Sequence, residues 1–306
     1  GMPIFLSRRY APVFEVEPPS LNMWCFVDKI VNLVKIELAG YICKVGVMKF
    51  KIEKNSDNLE ILLEIENDIS INRVITPPEG EVSFVDILPE IFDLHTDIIS
   101  ATLNRSRNNN IFVKCDKGCA TCCRQLVTVS IHEALLLTYL VDQLNSAEKC
   151  RIKESFDKIL AQLEQQNILK DLIYYHINTF EDKKTIISLQ KKYWDLQLNC
   201  PFLVDDSCSI YPYRPLICRE YLVSSAPEKC CRIFKNDHLI ERIKLTHDFA
   251  SAAASFDGVE AIATRGIPLP IIFLVEGLLT YFPRSKTTAD RMLDLYLSYV
   301  EKYFKK

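Results

Sequence analysis

The sequence predicts an α+β protein, with a small β-rich domain over residues 2–78 and a mainly helical domain over residues 79–306. Short segments rich in β-branched and aromatic residues dominate the first part, whereas apolar residues at helical spacing dominate the second. Two prolines and a glycine within residues 76–80 interrupt the pattern and mark the boundary. At 306 residues, with 48% hydrophobic content, the chain is long enough for two domains or for one large one.

Three strands are predicted in the first domain. Residues 41–53 and 71–76 are rich in β-branched residues, and residues 59–66 partly alternate between apolar and charged side chains. The polar cluster at residues 55–58 is typical of a turn, so we expect a small antiparallel sheet. Residues 31–38 fit a helix or a strand, because a short apolar run does not distinguish the two. The residues of this domain do not indicate its role.

Helices are predicted for most of the second domain. Pro89 suits the first turn of a helix, and apolar residues then recur at helical spacing until the polar residues 105–110. Ser130 and Glu133 form a capping-box pattern, which predicts a helix through residues 134–141. Further helices are expected at about residues 147–166, 183–198, 238–263, 268–281 and 287–304, with the cysteines in the loops between helices.

Charge and hydropathy exclude two classes of partner. The net charge is −3 with a pI of about 6.0, and lysines and arginines are scattered among carboxylates. We therefore expect no nucleic-acid partner. The most apolar late run, residues 267–282, is shorter than the roughly 20 residues of a membrane helix and carries Glu276. With no signal-peptide pattern visible, we expect a cytoplasmic protein without a membrane partner.

Ten of the twelve cysteines lie between Cys115 and Cys231, and this concentration is the strongest functional signal in the chain. A reducing compartment disfavours structural disulfides and favours metal binding or redox chemistry. The two-residue gap between Cys119 and Cys122 lets one turn present two sulfurs to one metal, and Gly118 can supply the left-handed conformation of such a turn. We predict a site for Zn or Fe, including an iron–sulfur cluster, with these candidate ligands: Cys115, Cys119, Cys122, Cys123, Cys200, Cys208, Cys218 and Cys230.

Eight thiolates are enough for two four-thiolate sites, each with a net charge near −2 with Zn(II) or a cubane cluster. The adjacent Cys122 and Cys123 leave the backbone in different directions, so either one ligates while the other packs, or the pair serves two neighbouring sites. The sequence does not decide between Cys230 and Cys231 either. Four arginines near the cysteines are candidate cationic partners or solvated surface charges: Arg124, Arg214, Arg219 and Arg232.

The cysteines occur in a specific order and local context. The motifs are Cys115-x3-Cys119-x2-Cys122-Cys123, Cys200-Pro-Phe-Leu, Cys208-Ser-Ile-Tyr-Pro-Tyr-Arg-Pro and Cys218-Arg-Glu-Tyr. In these motifs the chain resembles the YkgJ-like cysteine-cluster family, the CxxCxxCC-type proteins proposed to chelate zinc or iron. The resemblance covers roughly residues 80–235, and Cys230 lies near the position of the family's last cysteine. It departs from the family in its first gap, which holds three residues, and in the 76 residues between Cys123 and Cys200.

The resemblance implies metal or iron–sulfur binding without an assigned reaction. One branch of the family resembles flagellin lysine N-methylases, which are thought to use an iron–sulfur cluster and S-adenosylmethionine. An iron–sulfur-dependent enzyme of redox or methyl-transfer type is therefore the alternative function. The spacing from Cys115 to Cys122 also matches radical S-adenosylmethionine enzymes, but the predicted helices after it do not match their βα units, and no glycine-rich nucleotide loop is visible.

The remaining candidate groups are expected to be structural. No motif links a histidine to a thiol, and His132, in a predicted first helical turn, is expected at the surface. Cys25 and Cys43 in the β domain and Cys150 in a helix are expected to be buried packing residues. Packing is also the expected role of three tyrosines near the second cysteine group: Tyr211, Tyr213 and Tyr221.

Overall fold

The computed structural model describes residues 48–66, 68–115, 118–177, 183–235, 237–256, 266–279 and 284–306. These residues belong to one compact unit, residues 40–306. A three-stranded antiparallel sheet is followed by a series of helices, which confirms the predicted α+β class. Cys25, Cys43 and the ambiguous residues 31–38 lie outside the described residues.

The sheet is a simple meander of three strands, β1 (Met48–Asn55), β2 (Asn58–Ile65) and β3 (Ile69–Ile75). All three predicted strands are present in the described region, with their described ends within two residues of the prediction, and residues 41–47 of the first prediction lie outside the described residues. A tight turn joins β1 to β2, and Ser56 there adopts a positive φ of 54°. Alternate residues of the central strand are buried, so the sheet presents one apolar face to the helices: Leu59, Ile61, Leu63 and Ile65.

The first helix, α1 (Phe84–Asn108), begins five residues before the predicted start. Asp86 accepts hydrogen bonds of 2.7 Å from both the backbone N–H and the Oγ of Ser83, which fixes the helix start. Pro89 therefore lies inside the helix and not in its first turn, so that part of the prediction is wrong. The helix continues because Phe84, Ile87 and the other apolar side chains of its inner face are buried in the core, which offsets the one backbone hydrogen bond that proline removes.

The capping box at Ser130 starts a helix as predicted, α2 (Ile131–Gln143). Ser130 N–H donates to Glu133 Oε2 over 2.8 Å, and Glu133 N–H donates back to Ser130 Oγ over 3.1 Å. Three other predicted helices are present within one to three residues of their expected limits, and one further helix was not predicted. These are α3 (Ser146–Gln165), the unpredicted α4 (Leu169–Ile177), α5 (Lys183–Asp195) and, at the end of the chain, α10 (Ala289–Tyr303).

Three short helices lie within and after the second cysteine group, and two helix predictions in this part of the chain need correction. They are α6 (Leu216–Glu220), α7 (Pro227–Cys230) and α8 (Phe249–Ala254). The predicted helix over residues 238–263 is wrong in its first half, because the backbone there pairs with another segment: Ile243 N–H donates to the Leu222 carbonyl over 2.9 Å. The helix predicted at residues 268–281 begins later, as α9 (Ile272–Leu279), because Pro268 and Pro270 impose a 3-10 turn before it, and residues 280–281 lie outside the described residues.

Three short antiparallel strand pairs connect loop segments that are distant in the sequence or form a hairpin. They are β4 (Glu81–Val82) with β9 (Thr287–Thr288), β5 (Thr128–Val129) with β8 (Ile267–Pro268), and β6 (Leu203–Val204) with β7 (Ser207–Cys208). The close approach of β5 to β8 requires glycine at position 266, since a Cβ there would lie 2.9 Å from the Thr128 side chain.

The sheet and the helices share one hydrophobic core. At its centre, Phe84 packs against Phe256 and Tyr296, with ring centroids 5.1 Å and 4.8 Å away. Residues 48–75 therefore pack directly on the helical part, while the division into domains 2–78 and 79–306 stays a prediction. No helix in the described ranges combines the length and the apolar character that crossing a bilayer would require.

Candidate metal centre

The two cysteine groups meet in space although 76 residues separate Cys123 from Cys200. The backbone N–H of Cys200 donates to the carbonyl of Cys123 over 2.8 Å. The described cysteines are thiols, and no disulfide joins any of them. This backbone contact brings the Cys-Cys pair of the first group beside the first cysteine of the second.

The first group turns sharply around its last cysteines. Gly118 has a φ of +92°, the left-handed conformation expected from the sequence. The 3-10 turn Thr121–Arg124 follows, in which Cys123 N–H donates to the Ala120 carbonyl over 3.0 Å. The turn places Cys122 and Cys123 on consecutive residues of a tight curve and directs the chain toward β5.

The second group begins on a hairpin. The turn between β6 and β7 is made by Asp205 and Asp206, both with positive φ, as two-residue hairpin turns require. Ser209 N–H donates to the carbonyl of the buried Phe202 over 2.8 Å and closes the hairpin at its base. Cys200 and Cys208 lie on opposite arms at the open end of this hairpin, and both pack partly buried against the main core.

A buried carboxylate holds the helix that carries Cys218. Glu133, at the start of α2, accepts a 2.7 Å hydrogen bond from the N–H of Leu216, the first residue of α6. Burial raises the pKa of Glu133, while the hydrogen bonds from Leu216 and Ser130 oppose that rise. Glu133 thus caps two helices at once, and sequence reasoning identified only its role in the first.

Four thiols form what we call the inner set: Cys122, Cys200, Cys208 and Cys218. Burial raises the pKa of Cys218 well above its ordinary value, and the charges of Cys200, Cys122 and Cys208 raise it further. Burial likewise raises the pKa of Cys200 to about 12, with added contributions from Cys208 and Cys122. Each member therefore lies within electrostatic reach of the others.

Three further thiols form the outer set: Cys115, Cys119 and Cys230. Cys230, at the end of α7, is buried against Val223 and Ile240, and Cys115 packs partly buried on the same small cluster. Burial raises the pKa of Cys230 to about 11, and the charges of Cys115, Cys119 and Cys122 raise it further. Helix α7 also contacts the 3-10 turn at residues 121–124, which brings the outer set beside the Cys-Cys pair.

Cys122 and Cys123 lie at the border of the two sets. The side-chain hydrogen bond with Cys123 is the main reason why the pKa of Cys122 is raised, followed by burial. Cys122 interacts electrostatically with all three other inner thiols and with Cys230. Both alternatives for this pair, one ligand or one in each site, are compatible with the placement.

The four arginines near the cysteines divide into two kinds. Arg219 is buried, and its guanidinium donates to the carbonyls of Arg214, Phe92 and Pro212 and to Thr96 Oγ1. Burial lowers the pKa of Arg219 to about 10. Arg214 and Arg219 both lower the pKa of Cys208, opposing the effect of burial. Arg124 instead donates to Asn199 Oδ1 over 3.1 Å, and Arg232 is exposed.

Three sequence predictions about individual residues are wrong. His132 is buried, not at the surface, with Nε2 2.6 Å from the Phe256 carbonyl and its ring edge-on to Phe84. The helix α2 lies in the core at its first turn, which the capping box alone does not indicate. Cys150 is exposed rather than buried and donates to Glu154 Oε1 over 3.2 Å. Of the three tyrosines expected to pack, Tyr211 is exposed and lies over the Arg214 guanidinium.

A second buried group escaped the sequence analysis. His95 on α1 is fully buried, with Nε2 3.4 Å from Oε1 of Glu220 at the end of α6. Glu220 also accepts hydrogen bonds from Lys306 Nζ over 2.9 Å and from Ala250 N–H over 3.1 Å. This network ties α6 to α1 and α8. No local sequence signal links residues this far apart.

In the described part of the chain, no group of three or more His, Cys, Asp or Glu side chains is placed as a set that could hold a metal ion. The chemistry of the donors nevertheless fits a soft metal, because thiolate sulfur binds Zn(II) and iron–sulfur clusters well. Comparisons of the chain with protein-family models, with curated proteins and with solved structures find no match.

Proposed function

We propose that this protein binds Zn(II) or an iron–sulfur cluster through its clustered cysteines, at two neighbouring four-thiolate sites. The inner site would use the inner set, Cys122, Cys200, Cys208 and Cys218. The outer site would use the outer set, Cys115, Cys119 and Cys230, with Cys123 as fourth ligand. The resemblance to the YkgJ-like family supports the metal class, and the reaction stays unassigned.

One observation carries the proposal: the 2.8 Å backbone hydrogen bond from Cys200 to Cys123 joins the two cysteine groups, which come from separate segments of the chain. Cys122, Cys200 and Cys218 lie on a 3-10 turn, a hairpin and a helix, each fixed by its own hydrogen bonds. Packing alone gives no reason to gather sulfurs in this way, since alanine or valine fills the same space. Metal ligation does, because a thiolate site needs three or four sulfurs around one centre.

The surroundings suit thiolates bound to a cation. Four thiolates around a divalent ion carry a net charge of −2, which is costly in a low-dielectric site without nearby positive charge. Arg214 and Arg219 supply that charge beside the inner set. The bound group would hold the turn, the hairpin and α6 together and, as an iron–sulfur cluster, would supply one-electron chemistry.

Spectroscopy and metal analysis of protein purified under anaerobic conditions test this proposal. Zn(II) sites are colourless, whereas iron–sulfur clusters absorb visible light, so the spectrum identifies the metal class. Cys218→Ala and Cys119→Ala should each lower bound metal, and the exposed Cys150→Ala should not. Protein that purifies without metal and gains no thermal stability from added Zn or Fe would contradict the proposal, as would equal metal content in the three variants.

The iron–sulfur-dependent enzyme of redox or methyl-transfer type stays a prediction from the family resemblance. It requires an iron–sulfur cluster, so a colourless zinc protein would remove it. A cluster that is reduced and reoxidised reversibly is its first requirement.

A further inference from the structure

A cavity of about 550 Å³ opens on the surface between the end of α1 and the segments that carry the outer thiols. One wall is the last turns of α1, around Thr102 and Ser106. The other is a small sheet-like layer, in which Lys114 N–H donates to the Val223 carbonyl over 2.8 Å and Ser224 N–H donates to the Glu241 carbonyl over 2.9 Å. The volume is that of an ordinary small-molecule site.

The cavity and the outer set lie on opposite faces of this layer. Lys114 and Ser224 line the cavity, whereas their neighbours Cys115 and Val223 pack on the cluster that contains Cys230. Alternation along extended segments gives this arrangement directly. A molecule in the cavity would therefore lie one residue away from the Cys115 thiol along one segment, and one residue away from Val223, which packs against Cys230, along the other.

Positive charge dominates the cavity lining. Arg105, Lys114, Arg242 and Lys244 contribute four cations, against the single carboxylate of Glu241. Four cations and one anion leave a net charge of +3 in a chain whose overall net charge is −3. Such a local excess attracts anions.

The two arginines are already held by carboxylates outside the cavity. Arg105 pairs with Glu66 and Asp68, and Arg242 pairs with Asp237. The two lysines differ: within the ranges that the structure describes, neither Lys114 nor Lys244 has an ion-pair partner, and both are exposed. They are the groups in the cavity that can give their charge to a ligand.

The end of α1 adds little negative charge beside the two lysines. The α1 carbonyls are capped by the chain that follows, with N–H groups of Asn110 and Ile111 bonded to Arg107 and Ser106 over 2.9 Å each. This capping reduces the negative end of the helix dipole. The Glu241 carboxylate lies 3.4 Å from Ser224 Oγ, which donates to it.

Two large apolar side chains of the cavity lining are exposed to solvent. Ile111 is 46% exposed and Phe112 is 51% exposed, and both line the cavity. Exposed apolar groups beside convergent cations are the usual composition of a site for an organic anion, since the rings and chains of the ligand cover the apolar part.

We propose that this cavity binds a small organic anion, with its phosphate or carboxylate group between Lys114 and Lys244 and its apolar part against Ile111 and Phe112. The proposal is independent of the metal sites, although a ligand there would lie next to the outer set. Phosphate and carboxylate share the chemistry that two lysines recognise, and the experiment separates them.

Calorimetric titration of the full chain with phenyl phosphate at low salt tests the proposal. Phenyl phosphate should bind saturably, with a dissociation constant below about 10 mM. Phenylacetate and benzyl alcohol serve as the carboxylate and the neutral counterparts. Benzyl alcohol should not bind, and the tighter of phenyl phosphate and phenylacetate identifies the preferred anion.

Charge reversal at the two lysines provides the decisive variant. Lys114→Glu with Lys244→Glu should weaken phenyl phosphate binding at least about tenfold, because two charge-assisted contacts become repulsive. The matched control reverses two exposed lysines on α3 and α4, Lys158→Glu with Lys170→Glu, and should bind as the wild type does. Melting temperature and bound metal should be unchanged in both variants, which separates this result from any failure of the metal proposal.

A third variant tests the apolar part of the proposed binding site. Phe112→Ala should weaken the binding of phenyl phosphate without affecting that of inorganic phosphate. The proposal is overturned if neither phenyl phosphate nor phenylacetate binds saturably. It is also overturned if charge reversal at Lys114 and Lys244 weakens the binding of the preferred anion no more than the control does, or if benzyl alcohol binds as tightly as that anion.

Discussion

The inner and outer sets contain the same side chain, but the protein supports them differently. Inner thiols lie on elements attached to the main core, through Phe202 in the hairpin and Leu216 in α6, both almost completely buried. The outer thiols rest on a small separate cluster around Val223 and Ile240. A change near the inner set should therefore affect the stability of the whole protein, whereas a change near the outer set should act locally.

The largest expected effect is at Arg219. Arg219→Met removes four hydrogen bonds to partly or fully buried acceptors and a cation beside the inner set, so we expect a loss of about 3 kcal/mol or more in the free energy of unfolding. Arg124→Met, which removes one exposed hydrogen bond, is the control and should cost less than about 1 kcal/mol. Urea denaturation of the two variants measures the difference. Equal losses would mean that the inner set is no better supported than its surroundings.

Glu133 gives the next largest effect. Glu133→Ala removes a capping partner of α2 and leaves the buried N–H of Leu216 without an acceptor, which should cost about 2 kcal/mol. Glu148 holds the matching position in α3, where Asn145 Nδ2 donates to its exposed carboxylate. Glu148→Ala should cost about 0.5 kcal/mol. The unfolding midpoint should therefore fall more in Glu133→Ala than in Glu148→Ala. The opposite order would mean that Glu133 does not hold the start of α6.

Lowering the pH should destabilise the contact between His95 on α1 and Glu220 at the end of α6. Burial lowers the pKa of His95; the Glu220 carboxylate opposes that shift, and the charges of Arg219 and Lys306 add to it. Because the unfolded chain has the ordinary pKa of about 6.5, it takes up a proton below that pH before the folded protein does. The contribution to stability is therefore complete above about pH 6.5 and is lost as the pH falls toward the lower folded pKa.

Denaturation midpoints at two pH values, one on each side of 6.5, measure this loss. His95→Gln should reduce the difference between the two midpoints. His238 is exposed, and His238→Gln should leave the difference unchanged. An undiminished pH dependence in His95→Gln would show that acid acts elsewhere.

The smallest change in the free energy of unfolding is expected at Cys150. Its side chain is exposed on α3, remote from both sets, and its contact is with Glu154 one turn along. Cys150→Ala should change the free energy of unfolding by less than about 0.5 kcal/mol. Cys230→Ala, at a buried thiol of the outer set, should change it more. Thermal denaturation of metal-free protein under reducing conditions compares the two directly.

The sequence predicts those features that have a local cause. The capping box of Ser130 and Glu133 marks the start of α2, and alternating residues mark the strand at 59–65. Gly118 has the left-handed conformation expected of the cysteine turn. In each case neighbouring residues determine the conformation, so a pattern along the chain is sufficient.

Features with a distant cause were missed. The residues after 239 lose their predicted helix because they pair with the segment around Val223. His132 is buried because residues far along the chain, including Phe256, cover the start of α2. The separation of the thiols into two sets depends on the contact between Cys200 and Cys123, which spacing along the chain does not reveal.

The central claim is that the cysteines form two sites, and metal content per chain in paired variants tests it most directly. One variant removes two inner thiols, Cys200→Ala with Cys218→Ala, and the other removes two outer thiols, Cys115→Ala with Cys119→Ala. If the sites are separate, each variant keeps about half of the metal of the wild-type protein, as two equivalent four-thiolate sites require. Loss of all metal from both variants would instead indicate one shared centre, and unchanged metal in either would contradict the ligand assignment.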